Sequence, residues 1–201
     1  MTPTNKWDER YGERGFAYGT EPNDFLVSST PHLPKGGSVL CLAEGEGRNS
    51  AFLAGNGFVV TAVDSSAVGM QKAQALARQK GVTITTHTAD LEDFAFPPEN
   101  FDGIVSIFCH LPVPLRKKVH KGVITSLKKG GVFILEGYTP RQLQLGTGGP
   151  PVKDLLMELE DLRSDFSGLR IIHGEELVRE IYEGRLHTGR GAVVQLIAVK
   201  T

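Results

Sequence analysis

The first two thirds of the sequence alternate short apolar runs with longer stretches of mixed polarity. Apolar runs that we predict to be buried strands lie at residues 38–43, 58–63, 82–86, 101–108 and 132–137. Predicted helices lie between them at residues 48–56, 67–80 and 114–129. The last of these helices has apolar residues at four-residue steps, which puts them on one face: Leu115, Val119, Val123 and Leu127. Strands separated by helices in this way indicate a parallel sheet covered on both faces.

The last third of the chain has a different pattern. Residues 141–151 are rich in glycine and proline and are predicted to be a loop, and residues 154–163 a helix. Two extended runs, 169–182 and 192–199, flank a predicted loop at 183–191. A connection this short favours an antiparallel hairpin, because parallel strands need a long crossover. We therefore predict an α/β fold with a doubly wound, mainly parallel seven-stranded sheet, in which the C-terminal hairpin adds a reversed strand at one edge.

Length and composition limit the possible functions. With 201 residues the chain fits one domain, residues 1–201, and its formal net charge of −1 lacks the basic excess that nucleic-acid binding usually needs. No apolar run reaches the length of a membrane span, and the N-terminus lacks the apolar core of a secretion signal. The two cysteines, Cys41 and Cys109, lie in apolar runs without metal-binding spacing. We expect a cytoplasmic protein without a metal, a nucleic-acid partner or a membrane partner.

A glycine turn follows the first predicted strand, and carboxylates follow the next two. Gly45 and Gly47 stand between that strand and a helix, where glycine lets a ligand approach the backbone. Asp64 ends the second strand 19 residues after Gly45, and Asp90 follows the third. With Glu44, these aspartates would form an acidic rim at the carboxyl ends of the strands, where open parallel sheets bind ligands. A plain strand-to-helix turn, with Asp64 as a helix N-cap, remains the alternative.

The acidic rim also bears on the kind of ligand. A dinucleotide brings phosphates, which Glu44 and Glu46 inside the turn would repel. The third small residue of a dinucleotide glycine motif is also missing, since Ser50 stands there. A ligand with a ribose and an adenine, but with cationic sulfonium and ammonium groups, suits the rim better.

These residues resemble the class I methyltransferases that use S-adenosylmethionine, and within them a bacterial branch similar to tellurite-resistance and thiopurine methyltransferases. Residues 39–49 resemble the glycine motif for the methionine part of the cofactor, residues 101–105 the fourth strand, and residues 127–131 the turn before the fifth. Residues 7–11, with Tyr18-Gly19 and Pro22-Asn23, resemble a cofactor lid within residues 1–30. The cofactor core would then be residues 31–140 and the substrate side residues 141–201.

The resemblance implies S-adenosylmethionine as cofactor, with Asp64 at its ribose and Asp90-Leu91 at its adenine. The full set that it implies is Tyr11, Glu44, Gly45, Glu46, Gly47, Asn49, Asp64, Ser65, Asp90, Leu91 and Phe108. The chain departs from the family pattern in the first strand, where Cys41 replaces a frequent acid and Ala43-Glu44 a frequent Gly-Cys pair. Glu44 and Glu46 are therefore the candidate partners for the cofactor's amino group.

Four polar residues are candidates for the substrate side: His110, Tyr138, His187 and Arg190. Each has a structural alternative, as a packed loop residue for the first two and a solvated hairpin tip for the others. Residues 146–151 are either a substrate lid or an irregular connection. The sequence indicates a small-molecule methyl acceptor with a soft or ionised nucleophile, handled by a monomer or weak homodimer. An NAD(P)-dependent oxidoreductase and a non-catalytic S-adenosylmethionine-binding module are the rival hypotheses.

Overall fold

A seven-stranded sheet forms the centre of the computed structural model, which describes residues 5–201. The strands are β1 (Ser38–Leu42), β2 (Val59–Asp64), β3 (Thr85–Thr88), β4 (Phe101–Ile107), β5 (Leu127–Tyr138), β6 (Arg170–Glu183) and β7 (His187–Val199), in the spatial order β3-β2-β1-β4-β5-β7-β6. Strands β1 to β5 pair in parallel, and β7 is antiparallel to both of its neighbours. The predicted fold class is confirmed.

Alternation along β1 explains why helices cover both faces of the sheet. Leu40 and Leu42 belong to one apolar cluster, while Val39 and Cys41 belong to another on the opposite face. The first cluster is closed by α5 (Val113–Ser126) and α6 (Leu159–Asp165), and the second by α2 (Asp24–Ser29), α3 (Arg48–Gly55) and α4 (Ala67–Gln79). A short N-terminal helix, α1 (Lys6–Gly12), packs on α4. None of the helices in residues 5–201 is long and apolar enough to cross a membrane.

Several predicted boundaries are wrong. The helix predicted at 114–129 ends at Ser126, and Leu127 already pairs with Phe101 as the first residue of β5. The third strand lies at Thr85–Thr88 rather than 82–86, and the predicted helix at 154–163 is a 3₁₀ turn, Lys153–Leu155, followed by α6. In each case an apolar residue can face the core from either type of element, so the pattern alone does not set the boundary.

The C-terminal hairpin is longer than predicted, and its reversed strand is not at the edge of the sheet. The pairing of β6 with β7 continues to Glu183 and His187, so that only residues 184–186 form the turn instead of 183–191. Strand β7 lies between β5 and β6, and β6 forms the edge. Two of the three glycines that suggested a loop, Gly189 and Gly191, are part of the ladder, where Gly191 leaves room for the side chain of Ile181.

Candidate active site

A cavity of about 870 Å³ opens at the carboxyl ends of the parallel strands. It lies where the strand order reverses, between β1 and β4, the usual ligand position in such sheets. The three carboxylates of the predicted rim, Glu44, Asp64 and Asp90, all line it. The opposite end is lined by aromatic and apolar side chains that include Phe108 and Leu155.

The glycine turn is shaped by two glycines in a left-handed conformation and by one close helix contact. Gly45 and Gly47 have φ values of +63° and +91°, which side-chain-bearing residues rarely adopt. A Cβ on Gly47 would lie 2.5 Å from the Cα of Ala73, so glycine at this position lets α3 and α4 approach each other. Neither glycine lines the cavity itself, although the implied cofactor set contains both. Their contribution is to set the path of the turn that carries Glu44 and Glu46.

Glu44 occupies the position at which a helix start would otherwise bind an anion. Its Oε1 accepts a hydrogen bond of 2.6 Å from the backbone N–H of Ser50, in the first turn of α3. Burial raises the pKa of Glu44 to about 7. A phosphate placed at this helix start would meet the Glu44 carboxyl, which argues against a dinucleotide and in favour of a cationic ligand group.

Glu46, the second candidate for the cofactor's amino group, already has partners. Its Oε1 lies 2.9 Å from the Nζ of Lys72, and its Oε2 accepts a hydrogen bond of 2.7 Å from the backbone N–H of Ala17. Glu46 therefore fastens the N-terminal segment to α4. Of the two carboxylates, Glu44 keeps one oxygen, Oε2, without a hydrogen bond from the described residues.

Asp64 lines the cavity and also holds the turn together. Its Oδ2 accepts a hydrogen bond of 2.9 Å from the N–H of Gly45, and its Oδ1 accepts one of 2.8 Å from the N–H of Ser66. The N-cap of α4 is Ser66, not Asp64. Burial raises the pKa of Asp64, although these two hydrogen bonds lower it. Because a carboxylate offers about four acceptor positions, Asp64 retains capacity for a ligand hydroxyl.

Other predicted cofactor residues lie beside Asp64. Ser65 and Leu91 line the cavity, as does the exposed Asp90, whose Oδ1 accepts a hydrogen bond of 2.8 Å from the N–H of Glu92. Asn49 also lines it, and its Oδ1 accepts a hydrogen bond of 3.0 Å from the N–H of Asn23. The structure therefore brings most of the predicted set to one end of the cavity.

The N-terminal segment, which is predicted to be a lid, packs against this end of the cavity. The Asn5 side chain donates a hydrogen bond of 2.8 Å to the carbonyl of Ser65, and Asp8 accepts hydrogen bonds from the Ser66 hydroxyl and from the N–H of Val68. Tyr11 is buried against the glycine turn. Residues 1–4 of the predicted lid lie outside the described residues.

The lid and the C-terminal hairpin meet above the cavity. A Cβ on Gly19 would lie 3.2 Å from the backbone nitrogen of Gly184, which sits in the hairpin turn. Tyr18 and Leu186, one from each segment, line the cavity beside this contact. The roof is therefore built from two segments that lie far apart in the sequence.

Phe108 belongs to the aromatic end of the cavity. It follows β4 with φ +53°, an unusual backbone for a residue with a side chain, and its N–H donates a hydrogen bond of 2.7 Å to the carbonyl of Glu136. Its ring centroid lies 4.8 Å from that of His187 and 4.6 Å from that of Tyr138. The bend after β4 thus directs a predicted cofactor residue toward the aromatic end.

Two of the four substrate-side candidates, His110 and His187, line the cavity. Tyr138 is buried behind the lining, where Gly149 packs on its ring, and Arg190 is exposed on β7 outside the lining. The predicted solvated hairpin tip is wrong for His187, which is 8% exposed. The β6–β7 ladder extends as far as His187, and the residue is buried as part of that ladder.

His110 has both ring nitrogens occupied by the backbone. Nδ1 lies 2.8 Å from the carbonyl of Leu155 and so donates to it, which leaves Nε2 to accept from the N–H of Tyr138 at 3.3 Å. Burial lowers the pKa of His110 to about 4. A neutral ring with both nitrogens engaged is suited to positioning the loop, not to moving a proton.

The loop at 146–151 is fixed over the cavity. Gly148, Pro150 and Pro151 line it, and the loop is held by Gln142, whose side-chain nitrogen donates hydrogen bonds of 3.1 Å to Thr147 and to the carbonyl of Gly148. The same side chain accepts a hydrogen bond of 2.8 Å from the N–H of Ala192 in β7. The loop therefore forms part of the cavity wall.

A buried polar network beneath the cavity was missed by sequence reasoning. Glu183 lies 2.6 Å from Arg48 and accepts a hydrogen bond of 2.8 Å from Asn23, whose side chain also donates to Glu136 at 2.9 Å. Arg179 pairs with both glutamates. These residues are far apart in the sequence, so no local spacing could have revealed them.

Comparisons with known proteins find similarity to methyltransferases. Residues 39–131 match the family model described as a methyltransferase domain. An uncharacterised methyltransferase of Bacillus subtilis, YbaJ, is 33% identical over 105 residues, which cover 50% of this chain and only 40% of that protein. The chain thus spans less than half the length of this curated relative.

Two solved structures share the fold. One, concerning the conversion of a disulfide bond into a thioacetal group during echinomycin biosynthesis, has a TM-score of 0.78 at 17% identity and covers 96% of this chain and 87% of its own. TehB from Haemophilus influenzae has a TM-score of 0.71 at 19% identity, with 97% and 66% covered. The chain therefore has the fold of the class I S-adenosylmethionine-dependent methyltransferases, and residues 39–131 of it match a methyltransferase domain.

Proposed function

We propose that this protein transfers a methyl group from S-adenosylmethionine to a small molecule with a soft or ionised nucleophile. The observation that carries the proposal is the continuous cavity, which joins an acidic end at Asp64 and Asp90 to an aromatic end at Phe108. Its volume of about 870 Å³ is near the upper end for small-molecule sites, which leaves room for a nucleoside cofactor and a small acceptor.

The residues at the acidic end fit the cofactor. Asp64 and Asp90 offer carboxylate oxygens to ribose hydroxyls and to an adenine amino group, and Leu91 offers an apolar contact. The oxygen of Glu44 that has no described partner suits the cofactor's ammonium group. When bound, the cofactor supplies a methyl group already activated by the sulfonium. The chain's own residues hold the two reactants in line and exclude water, and such alignment can contribute about 7–11 kcal/mol.

The acceptor end supports a small molecule. Its walls are the N-terminal lid, the loop at 146–151 and the hairpin turn, which together leave little space for a macromolecule. The net charge of −1 gives a nucleic acid no electrostatic attraction. The structural neighbour concerned with thioacetal formation works on sulfur, a soft element, which supports an acceptor of this class.

Binding and turnover can be tested separately. Thermal unfolding with S-adenosylhomocysteine at 100 times its dissociation constant should show a stabilisation of about 2.7 kcal/mol, whereas NAD should have no effect. A methyl-donor assay should then release S-adenosylhomocysteine with one of a panel of thiols, thiopurines, selenite and tellurite. Stabilisation by NAD alone would support the oxidoreductase alternative. Cofactor binding without turnover on the panel, on tRNA, on DNA or on protein extract would support the non-catalytic module.

A further inference from the structure

His187 combines a position in the cavity wall with an unpartnered buried nitrogen. It is the first residue of β7, and its ring packs beside Tyr18 and Phe108, with centroid distances of 4.4 and 4.8 Å. Its Nδ1 is buried without a hydrogen bond and lies 3.8 Å from the Oε2 of Glu183. Because Nδ1 faces Glu183, the other nitrogen of the ring, Nε2, is directed away from that carboxylate.

Glu183 is held in place and ionised. Its Oε2 accepts a hydrogen bond of 2.6 Å from Arg48, and its Oε1 accepts one of 2.8 Å from Asn23. Burial raises its pKa, but the contacts with His187 and Arg48 outweigh burial and lower the pKa to about 2. A fixed carboxylate beside Nδ1 favours the tautomer that carries its proton there, which leaves Nε2 free to accept one.

Burial keeps the ring of His187 neutral at neutral pH. Burial lowers its pKa, Glu183 raises it, and Arg48 and Arg10 lower it further, so that the pKa lies below its usual value. The titratable and charged groups that face it, from the lid, α3, the loop after β4, β5 and β6, are Arg10, Tyr18, Arg48, His110, Tyr138 and Glu183. His110 differs, since the backbone occupies both of its nitrogens.

We propose that His187 is the catalytic base of this site, that Glu183 is its positioning residue, and that the methyl acceptor is a thiol that arrives protonated. The inference rests on the proposed function and narrows its substrate class. His187 Nε2 takes the proton of the S–H group, and the sulfur lone pair forms the new S–CH₃ bond. The bond between the methyl group and the sulfonium breaks, its electron pair stays on the departing thioether, and the imidazolium returns its proton to water.

The lining around His187 suits the carbon body of a thiol. Phe108, Leu115 and Leu186 contribute apolar surface, and sulfur packs favourably against aromatic rings. A free thiol has a pKa near 8.5, so most of it is protonated at neutral pH and gains from a base. General-base catalysis typically accelerates a reaction by about 10²–10⁴-fold.

The test compares two acceptors that differ in their need for a base. With an alkyl thiol at pH 7, His187→Gln should lower kcat by at least about 100-fold. With 4-nitrothiophenolate, which is already ionised, the same variant should retain most of its rate. His87→Gln removes an exposed histidine on β3, outside the cavity lining, and should leave both rates unchanged. Added imidazole should restore part of the alkyl-thiol rate in His187→Ala.

Two further measurements separate the possible failures. Proton NMR titration should show a lower pKa for His187 in Glu183→Gln than in the wild type, since the carboxylate raises it; an unchanged pKa would overturn the role of Glu183. If His187→Gln loses the same fraction of kcat with both acceptors, or none with either, His187 is not the catalytic base. If the wild type binds S-adenosylhomocysteine but methylates no thiol, the thiol assignment is wrong. If it does not bind S-adenosylhomocysteine, the proposed function itself fails.

Discussion

The hydroxyl of Tyr11 occupies the space that a side chain on Gly45 would need, since a Cβ there would lie 2.6 Å from the hydroxyl oxygen. Gly69 makes room for the other side of the same ring, with a Cβ distance of 2.9 Å. The lid therefore depends on two glycines, one in the turn after β1 and one in α4. The position of Tyr11 therefore depends on the glycine turn as well as on the N-terminal segment itself.

Gly45→Ala should displace the lid. The variant combines the strain of a left-handed alanine, about 1–2 kcal/mol, with a collision against Tyr11. Gly36→Ala is a matched control, because Gly36 has φ +69° and open space around its Cβ position. Denaturant unfolding should show the larger loss for Gly45→Ala, and calorimetry should show weaker S-adenosylhomocysteine binding for that variant only. Equal effects of the two substitutions would mean that Tyr11 can move aside without weakening the fold or the binding of S-adenosylhomocysteine.

Asp8→Ala should loosen the lid from its other side. Asp8 accepts hydrogen bonds from two groups at the start of α4, and losing such a cap costs about 0.5–2 kcal/mol. Glu9→Ala, on the exposed side of α1, should change stability by less than about 0.5 kcal/mol. Cofactor affinity, measured by calorimetry, should fall for Asp8→Ala alone. Unchanged affinity would show that α1 need not be anchored here.

Asp64→Asn should weaken both the fold and cofactor binding. One of the two backbone N–H groups that the carboxylate accepts would face an amide NH₂ instead, at a cost of about 1–3 kcal/mol. Binding of S-adenosylhomocysteine should weaken by about 1.5–3 kcal/mol, the range for hydrogen bonds to charged groups. Asp93→Asn, exposed outside the cavity, is the control. A folded Asp64→Asn protein with wild-type affinity would exclude the ribose role.

Glu44→Gln should change the pH dependence of stability. The pKa of Glu44, raised to about 7 by burial, lies above its unfolded value of 4.5. The stabilisation that the protonated Glu44 gives to the folded state is therefore full below pH 4.5. It is lost as the pH rises through 7. The variant should gain stability relative to the wild type across this window, by on the order of 3 kcal/mol. Denaturant unfolding of the ligand-free proteins at both ends of the window measures the difference; a constant difference would contradict the raised pKa.

The cofactor end of the site was accessible to sequence reasoning because its residues follow directly from strand ends. Once residues 38–43 and 58–63 are placed as parallel strands, Glu44 and Asp64 must meet at one edge of the sheet. The partners of these carboxylates were not accessible. The contact of Lys72 with Glu46 depends on how α4 packs beside the turn, which no local pattern records.

The acceptor end was harder to predict for a related reason. Glycines and charges at 183–191 are typical of a loop, yet residues 187–191 pair with β6 as a continuous ladder, and His187 is buried. Leu127 shows the same effect, since it fits the helical repeat but pairs with Phe101. Tertiary pairing overrides the local signal at both places.

The contact between Gly19 and Gly184 has a consequence for how the protein matures. Residues of the N-terminal segment are synthesised before those of the hairpin, so the cavity roof closes only after the hairpin has left the ribosome. Such a long-range contact also forms late during folding, because its loop-closure entropy must first be overcome. A nascent chain that already contains β1 to β5 would hold the acidic end of the site but could not retain an acceptor.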